Sequence, residues 1–379
     1  MKVRLPVFLL IFIASASLAQ QQPRPVPAPP VIGATSYLVI DSTTGAELAS
    51  LEPDVAVPPA SLTKLMTAYV VFSALQQEQI SLADEVTISE KAWRTQGSRM
   101  FIEVGKRVKV EELLLGMIVQ SGNDASVALA EFVAGSEAVF AEMMNQQAAA
   151  IGMHSSHFMN ATGLPDENHY STARDLSTLA RAIIEQFPEY YRWYSVKEYT
   201  FNEITQPNRN NLLWRDDSVD GMKTGYTEEA GYCLVSSAQR NDMRIISVVL
   251  GTSSAKARID GSQALLNYGF RFFETRLLYT ANTEVAQTRV WKAANEYTSL
   301  GVIDDVYITV PRGSYESLVS TVNIPAVVEA PVAQSQPLAE INIELGDEQL
   351  MKVPLRALGD NPLGSFWQRT VDSVMLWFE

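Results

Sequence analysis

The strongest constraint on how this chain can fold is a stretch that is apolar on nearly every helical face. In Pro58-Pro59-Ala60-Ser61-Leu62-Thr63-Lys64-Leu65-Met66-Thr67-Ala68-Tyr69-Val70-Val71-Phe72, the residues Leu62, Leu65, Met66 and Tyr69 recur at helical spacing, and Val70, Val71 and Phe72 occupy the other faces. Such a helix has no side to give to water, so it has to be central. Two polar residues at its start stand out. Ser61 opens the helix and Lys64 follows three residues on, so hydroxyl and amine share a face. A serine hydroxyl is a poor nucleophile without a neighbour to take its proton, and a lysine can do so when burial and nearby cations lower its pKa. Unpaired N–H groups and the positive end of the helix dipole also favour negative charge developing at Ser61.

A Ser-x-x-Lys match is weak by itself. A second copy, Ser253-Ser254-Ala255-Lys256, follows the apolar run Ile245–Leu250, where a strand is expected to end in a loop, and it lacks a buried helix. Two further short motifs are equally weak alone. Ser121-Gly122-Asn123-Asp124 separates apolar helices expected over 111–119 and 125–133, where Asn and Gly halt one helix and Asp or Asn caps the next. Lys223-Thr224-Gly225 precedes strands expected over 232–238 and 243–250, joined by a turn at Asn241-Asp242; alone, Lys223 reads as a surface lysine on an edge strand.

The rest of the chain bounds the compartment and the architecture. Its 379 residues, 47% hydrophobic and 19% charged, suffice for two or more domains. Met1-Lys2-Val3-Arg4, an apolar run to Ile13 and Ser17-Leu18-Ala19 read as a secretory leader over 1–19. No cysteine lies near that cleavage site, and Cys233, the only cysteine, sits in a strand-like setting that implies a structural role and no internal disulfide. Losing Lys2 and Arg4 takes the formal charge from −14 to −16, which argues against nucleic acid as a partner. His154, His157 and His169 lie close together, but without cysteines or tight spacing they read as loop histidines rather than a zinc site. Residues 20–32 are a proline-rich extended lead-in; 35–40 and 46–50 form a hairpin; 85–88 is strand-like; and helices are expected up to Ile184 and over 262–273. After about residue 281 only short β-rich runs remain, including 306–310 and 341–345, with a flexible loop over 324–337. The tail places Phe366, Trp367, Val371, Val374, Met375 and Phe378 on one stripe, suited to lying in a membrane surface and too short and charged to span one. Residues 360–379 carry a net charge of −2, so insertion there has to be hydrophobic.

Taken in order in an exported chain, Ser61-x-x-Lys64, Ser121-Gly122-Asn123 and Lys223-Thr224-Gly225 form a specific combination. With Tyr268-Gly269-Phe270-Arg271-Phe272-Phe273-Glu274-Thr275, they make the chain resemble the low-molecular-mass penicillin-binding proteins that are serine D-alanyl-D-alanine carboxypeptidases. The resemblance implies an α+β fold: a serine β-lactamase-like domain with an antiparallel sheet and helical cluster (33–280), a small all-β domain (281–359) and an amphipathic helix (360–379). It implies Ser61 as nucleophile, Lys64 as base and Ser121 as proton relay, with Lys223 helping to keep Lys64 neutral. Asn123 would bond the substrate backbone, and Thr224 and Gly225 would pair with substrate. Tyr226, often histidine in these enzymes, would supply with Ser61 the backbone N–H groups of an oxyanion hole, and Arg258 would meet the substrate carboxylate. The implied substrates are peptidoglycan stem pentapeptides, the inhibitors β-lactams, and the place the periplasmic face of the inner membrane, reached through residues 362–379. No metal or cofactor is implied, and a homo-oligomer stays open. A β-lactamase or DD-endopeptidase with the same motifs, or a catalytically silent cell-wall scaffold, are the alternatives.

Overall fold

The computed structural model describes residues 25–378, so the leader at 1–19 lies outside the described residues. The described chain divides into two compact units: one of residues 26–280 with 305–312, the other of 281–304 with residues from 313 onward.

The first unit is built on an antiparallel sheet. In chain order its main elements are β1 (Ser36–Asp41), β2 (Glu47–Leu51), α1 (Lys64–Gln76), α2 (Val110–Gln120), α3 (Asn123–Ala134), α4 (Ala173–Gln186), β3 (Val219–Thr227), β4 (Gly231–Arg240), β5 (Met243–Thr252) and α5 (Ala255–Phe272). The sheet order is β2-β1-β5-β4-β3, which leaves β3 on an edge. Because side chains alternate across a strand, Leu38 and Ile40 join the core around α1 while Tyr37 and Val39 join the core under α5 with Leu265 and Leu266. Both faces are therefore covered, and β1 is buried along its whole length. The helix that no solvent face would suit is central: every residue from Leu62 to Phe72 is buried, and α1 packs against α2, α3, α4 and the helix Glu137–Ala150. Each large apolar side chain so buried contributes about 1.5–3 kcal/mol.

Two local readings change. Helix α5 begins at Ala255 rather than 262, because Ser254 Oγ accepts the Ala257 N–H at 3.1 Å and caps it. Lys256 is then an exposed first-turn residue paired with Asp260, so the second Ser-x-x-Lys is a helix cap and a surface ion pair. Asp124 does not cap α3, whose N-cap is Gly122. Its fully buried carboxylate accepts N–H groups from Met100, Phe101 and Ile102 at 3.0–3.3 Å and pins the loop that precedes them. The lead-in is extended but packed, with Val26 and Ile32 against the core and the Tyr268 hydroxyl donating to the Pro27 carbonyl at 2.9 Å.

The second unit carries a five-stranded antiparallel sheet in the order Glu284–Arg289, Tyr297–Gly301, Glu348–Ala357, Pro337–Leu345, Leu318–Asn323. The strand Val306–Pro311 belongs instead to the first unit, where it pairs with Phe273–Tyr279. The stretch 324–337 is a packed connection rather than a loose one: Val328 and Val332 are buried with Val290, Ala293 and Ala357. The unit ends in the helix Phe366–Met375, opened by a Ser365/Gln368 capping box.

Candidate active site

Ser61 lies in a single 3-10 turn, Ala60–Thr63, that feeds directly into α1, so Lys64 is the first residue of the most buried helix. Its Nζ is 3.0 Å from Ser61 Oγ. The amine is only 2% exposed and donates also to Asn123 Oδ1 and to the Thr162 carbonyl, each at 2.6 Å. Burial pushes the Lys64 pKa down to about 7, with the Asp124 carboxylate pulling the other way. Burial, not the neighbouring cation, is therefore the leading cause of its low basicity. Loss of one proton frees a lone pair, and Ser61 Oγ is one of the three atoms placed to meet it.

A second serine–lysine pair lies beside the first. Ser121 ends α2 in the left-handed conformation (φ 65°), and its hydroxyl accepts from Lys223 Nζ at 2.9 Å; the same amine reaches the Thr224 carbonyl at 2.9 Å. Lys223 is 1% exposed, and burial first, then Lys64, Arg258 and Arg209, hold its pKa well below the usual lysine value. Edge strand β3 comes close to the Ser61 turn because Gly225 has no side chain: a Cβ there would stand 3.0 Å from the Pro59 carbonyl oxygen and 3.3 Å from Ala60 Cβ. The result is a cleft of about 420 Å³ lined by Ser61, Ser121, Thr224, Gly225, Tyr226 and Arg258. Lys64, Asn123 and Lys223 form its floor through the hydrogen bonds above, so the structure brings together all nine residues singled out in the sequence.

Asn123 has a structural part beside the expected one. Its Oδ1 accepts from Lys64 and its Nδ2 donates to the Gln96 carbonyl at 2.6 Å, so it fastens Lys64 to the 96–102 loop. Thr162, Ser98, Arg209 and Tyr232 escaped the sequence reading. Thr162 acts through a backbone carbonyl, which leaves no trace in residue type, and Ser98, Arg209 and Tyr232 line the cleft from loop or strand positions outside the short motifs.

A buried amine against a hydroxyl, a second amine against a second hydroxyl and an open strand edge suit acyl transfer through serine, and they place the chain in the class of serine penicillin-binding enzymes. Residues 23–254 match the D-alanyl-D-alanine carboxypeptidase family and residues 273–362 the C-terminal domain of penicillin-binding protein 5. The chain belongs to the D-alanyl-D-alanine carboxypeptidase family and is a serine-type carboxypeptidase. It is 41% identical to the D-alanyl-D-alanine carboxypeptidase DacA of Escherichia coli over 93% of this chain and 90% of the relative. It is 40% identical to DacC of the same organism over 98% and 94%. Among solved structures, penicillin-binding protein 5 from Haemophilus influenzae superposes with a TM-score of 0.86 at 41% identity, covering 89% of this chain and 99% of that one. An ampicillin-bound penicillin-binding protein from Listeria monocytogenes gives a TM-score of 0.59 at 32% identity over 63% and 98%.

The Thr162 carbonyl reaches Lys64 only because Gly163 (φ 81°) lets its loop lie on the nucleophile turn; a Cβ would stand 1.8 Å from the Ala60 carbonyl oxygen and 2.9 Å from Thr63 Oγ1. Gly163→Ala is expected to destabilise the protein by about 2–4 kcal/mol in urea unfolding and to lower carboxypeptidase activity in the fraction that remains folded. A variant with wild-type stability and turnover would show that the loop contact does not hold the base.

Proposed function

We propose that Ser61 and Lys64 are the nucleophile and general base for removal of the terminal D-alanine from peptidoglycan stem pentapeptides. The 3.0 Å contact between a buried amine and Ser61 Oγ carries this reading. Neutral Lys64 takes the Ser61 proton as Oγ bonds to the carbonyl carbon of the penultimate D-alanine. The carbonyl oxygen, now negative, is met by the backbone N–H groups of Ser61 and Tyr226. The peptide C–N bond then breaks, the leaving amine receives the proton through Ser121, and D-alanine departs. Water attacks the remaining ester, returning the Ser61 hydroxyl and releasing the shortened peptide. Lys223 polarises Ser121 and adds positive charge, Thr224 and Gly225 offer the strand edge, and Arg258 meets the carboxylate of the leaving residue. A β-lactam presents its strained amide to the same hydroxyl.

The cellular setting is proposed on the same footing. The catalytic domain spans 33–280 together with the strand 306–311, and the small β domain takes the rest of 281–359, in a protein exported to the periplasm and held on the inner-membrane surface by its last helix. Two observations support the anchor. Asp372 Oδ2 accepts the Lys292 N–H at 2.5 Å, tying the polar side of the helix to its own unit. On the other side Phe366 is 68% exposed, Trp367 75% and Phe378 86%. Burying four such side chains contributes roughly 6–12 kcal/mol gross. Among the described residues no helix is long and apolar enough to cross a membrane.

Three measurements test these assignments. Mass spectrometry after penicillin treatment should show one adduct in the wild type, mapped to the peptide bearing Ser61, and none in folded Ser61→Ala; an adduct in that variant would remove Ser61 as nucleophile, and rapid turnover of penicillin would favour a β-lactamase. Because Lys64 is a base only when neutral and its pKa is held at about 7, kcat/KM should fall about tenfold per pH unit below 7 and level off above it. A profile flat from pH 5 to 8 would exclude that role. Deleting residues 362–379 should release the protein from vesicles of uncharged phospholipid, and unchanged binding would remove the anchor.

A further inference from the structure

Arg258 is in an unusual electrostatic position. It sits one turn into α5, 7% exposed, and faces the cleft. Among the described residues no carboxylate pairs with it, and burial lowers its pKa from the usual arginine value. Its Nη1 donates to the Gly225 and Cys233 carbonyls at 3.3 and 3.4 Å, both long, and its Nε is buried without a partner. A guanidinium held so loosely by hydrogen bonds has several orientations open to it, and only some present a donor fork to an incoming carboxylate. Something else has to fix its plane.

The aromatic wall of the cleft is placed to do so. Tyr226 on edge strand β3 and Tyr232 on β4 are direct cross-strand partners, with ring centroids 4.3 Å apart and planes inclined by 32°. The Arg258 Cζ lies 5.7 Å from the Tyr232 ring centroid, within cation–π range. Tyr226, 51% exposed, therefore stacks on Tyr232, and Tyr232 in turn neighbours the buried guanidinium. An electron-rich ring face stabilises the cation where no carboxylate does, and the outer ring restrains the inner one.

We propose that Tyr232, backed by Tyr226, is a positioning residue that fixes the Arg258 guanidinium for the carboxylate of the leaving D-amino acid, making the stack the element that selects peptides with a free C-terminus. This rests on the proposed role of Arg258. Neither ring takes part in bond making; they act through the arginine. Tyrosine at 226 gives the stack its outer layer, where a smaller side chain would leave the Tyr232 face open to water.

The measurement is a ratio, which partial unfolding does not change: kcat/KM for an acyl-D-Ala-D-Ala peptide divided by kcat/KM for the same peptide with its C-terminal carboxylate converted to a carboxamide. The ratio should fall about tenfold in Tyr232→Leu and about threefold in Tyr226→Ala, and return to the wild-type value in Tyr232→Phe, which keeps the ring and loses only the hydroxyl. If Arg258→Gln lowers the ratio while Tyr232→Leu and Tyr226→Ala leave it unchanged, the stack is overturned and carboxylate recognition by Arg258 stands. If Arg258→Gln leaves the ratio unchanged, the role of Arg258 falls and the stack falls with it. Should Tyr232→Leu not fold, Tyr226→Ala, whose side chain is largely exposed, decides the matter. A tenfold fall in Tyr232→Phe as well would assign the effect to the hydroxyl and overturn the stacking account.

Discussion

A primary amine sealed in an apolar core is the constraint on which the rest of this structure depends. Charged, the Lys64 amine loses its hydration and is disfavoured; neutral, it costs little and becomes a base. The protein holds it near the balance point by giving it three acceptors, Ser61 Oγ, Asn123 Oδ1 and the Thr162 carbonyl. These come from three segments far apart in the chain. None means much without the others, so the site exists only when the turn before α1, the start of α3 and the 160–164 loop are all in place.

The second amine repeats the device with a different outcome. Lys223 is as deeply buried as Lys64 and bonded to Ser121 and its own strand, and it adds to the positive charge of a cleft where Arg258 also lacks a carboxylate partner. Gathered at one place in a chain with a formal charge of −14, the Lys223 and Arg258 groups concentrate positive potential there. A substrate ending in a carboxylate and reacting through an oxyanion suits that field. The open edge of β3 adds backbone donors and acceptors beside it, and Gly225 lets that edge come close to the Ser61 turn.

Much of this was legible in the sequence, for identifiable reasons. The all-round apolar helix could only be central, the hairpin over 35–50 was marked by its turn residues, and the three short motifs are contiguous, so residue type alone locates them. What stayed hidden acts through the backbone or across long separations. Thr162 contributes a carbonyl; Asp124 looked like a helix cap and instead gathers three N–H groups from a loop more than twenty residues earlier; and the strand 306–311 looked like part of the β domain because pairing partners carry no label in a short apolar run. Asn123 was expected to bond the substrate backbone, and the motif carries no sign that its Oδ1 also accepts from Lys64. Lys64 was expected to owe its low pKa to Lys223, and burial is the larger cause.

The place of Ser61 and Lys64 at the start of α1 has a consequence for motion. Catalytic groups usually sit on loops, which open locally at small cost, whereas the least exchangeable amides lie in the central elements of a core. Here Lys64 is the first residue of the helix most enclosed by the fold, in a stretch buried without a break from Leu62 to Phe72. The serine–lysine pair thus belongs to the same cooperative unit as the core itself. Fluctuations that widen the cleft have to come from the walls, the 96–102 loop and the β3 edge, while the reacting atoms keep their spacing until the domain melts as a whole.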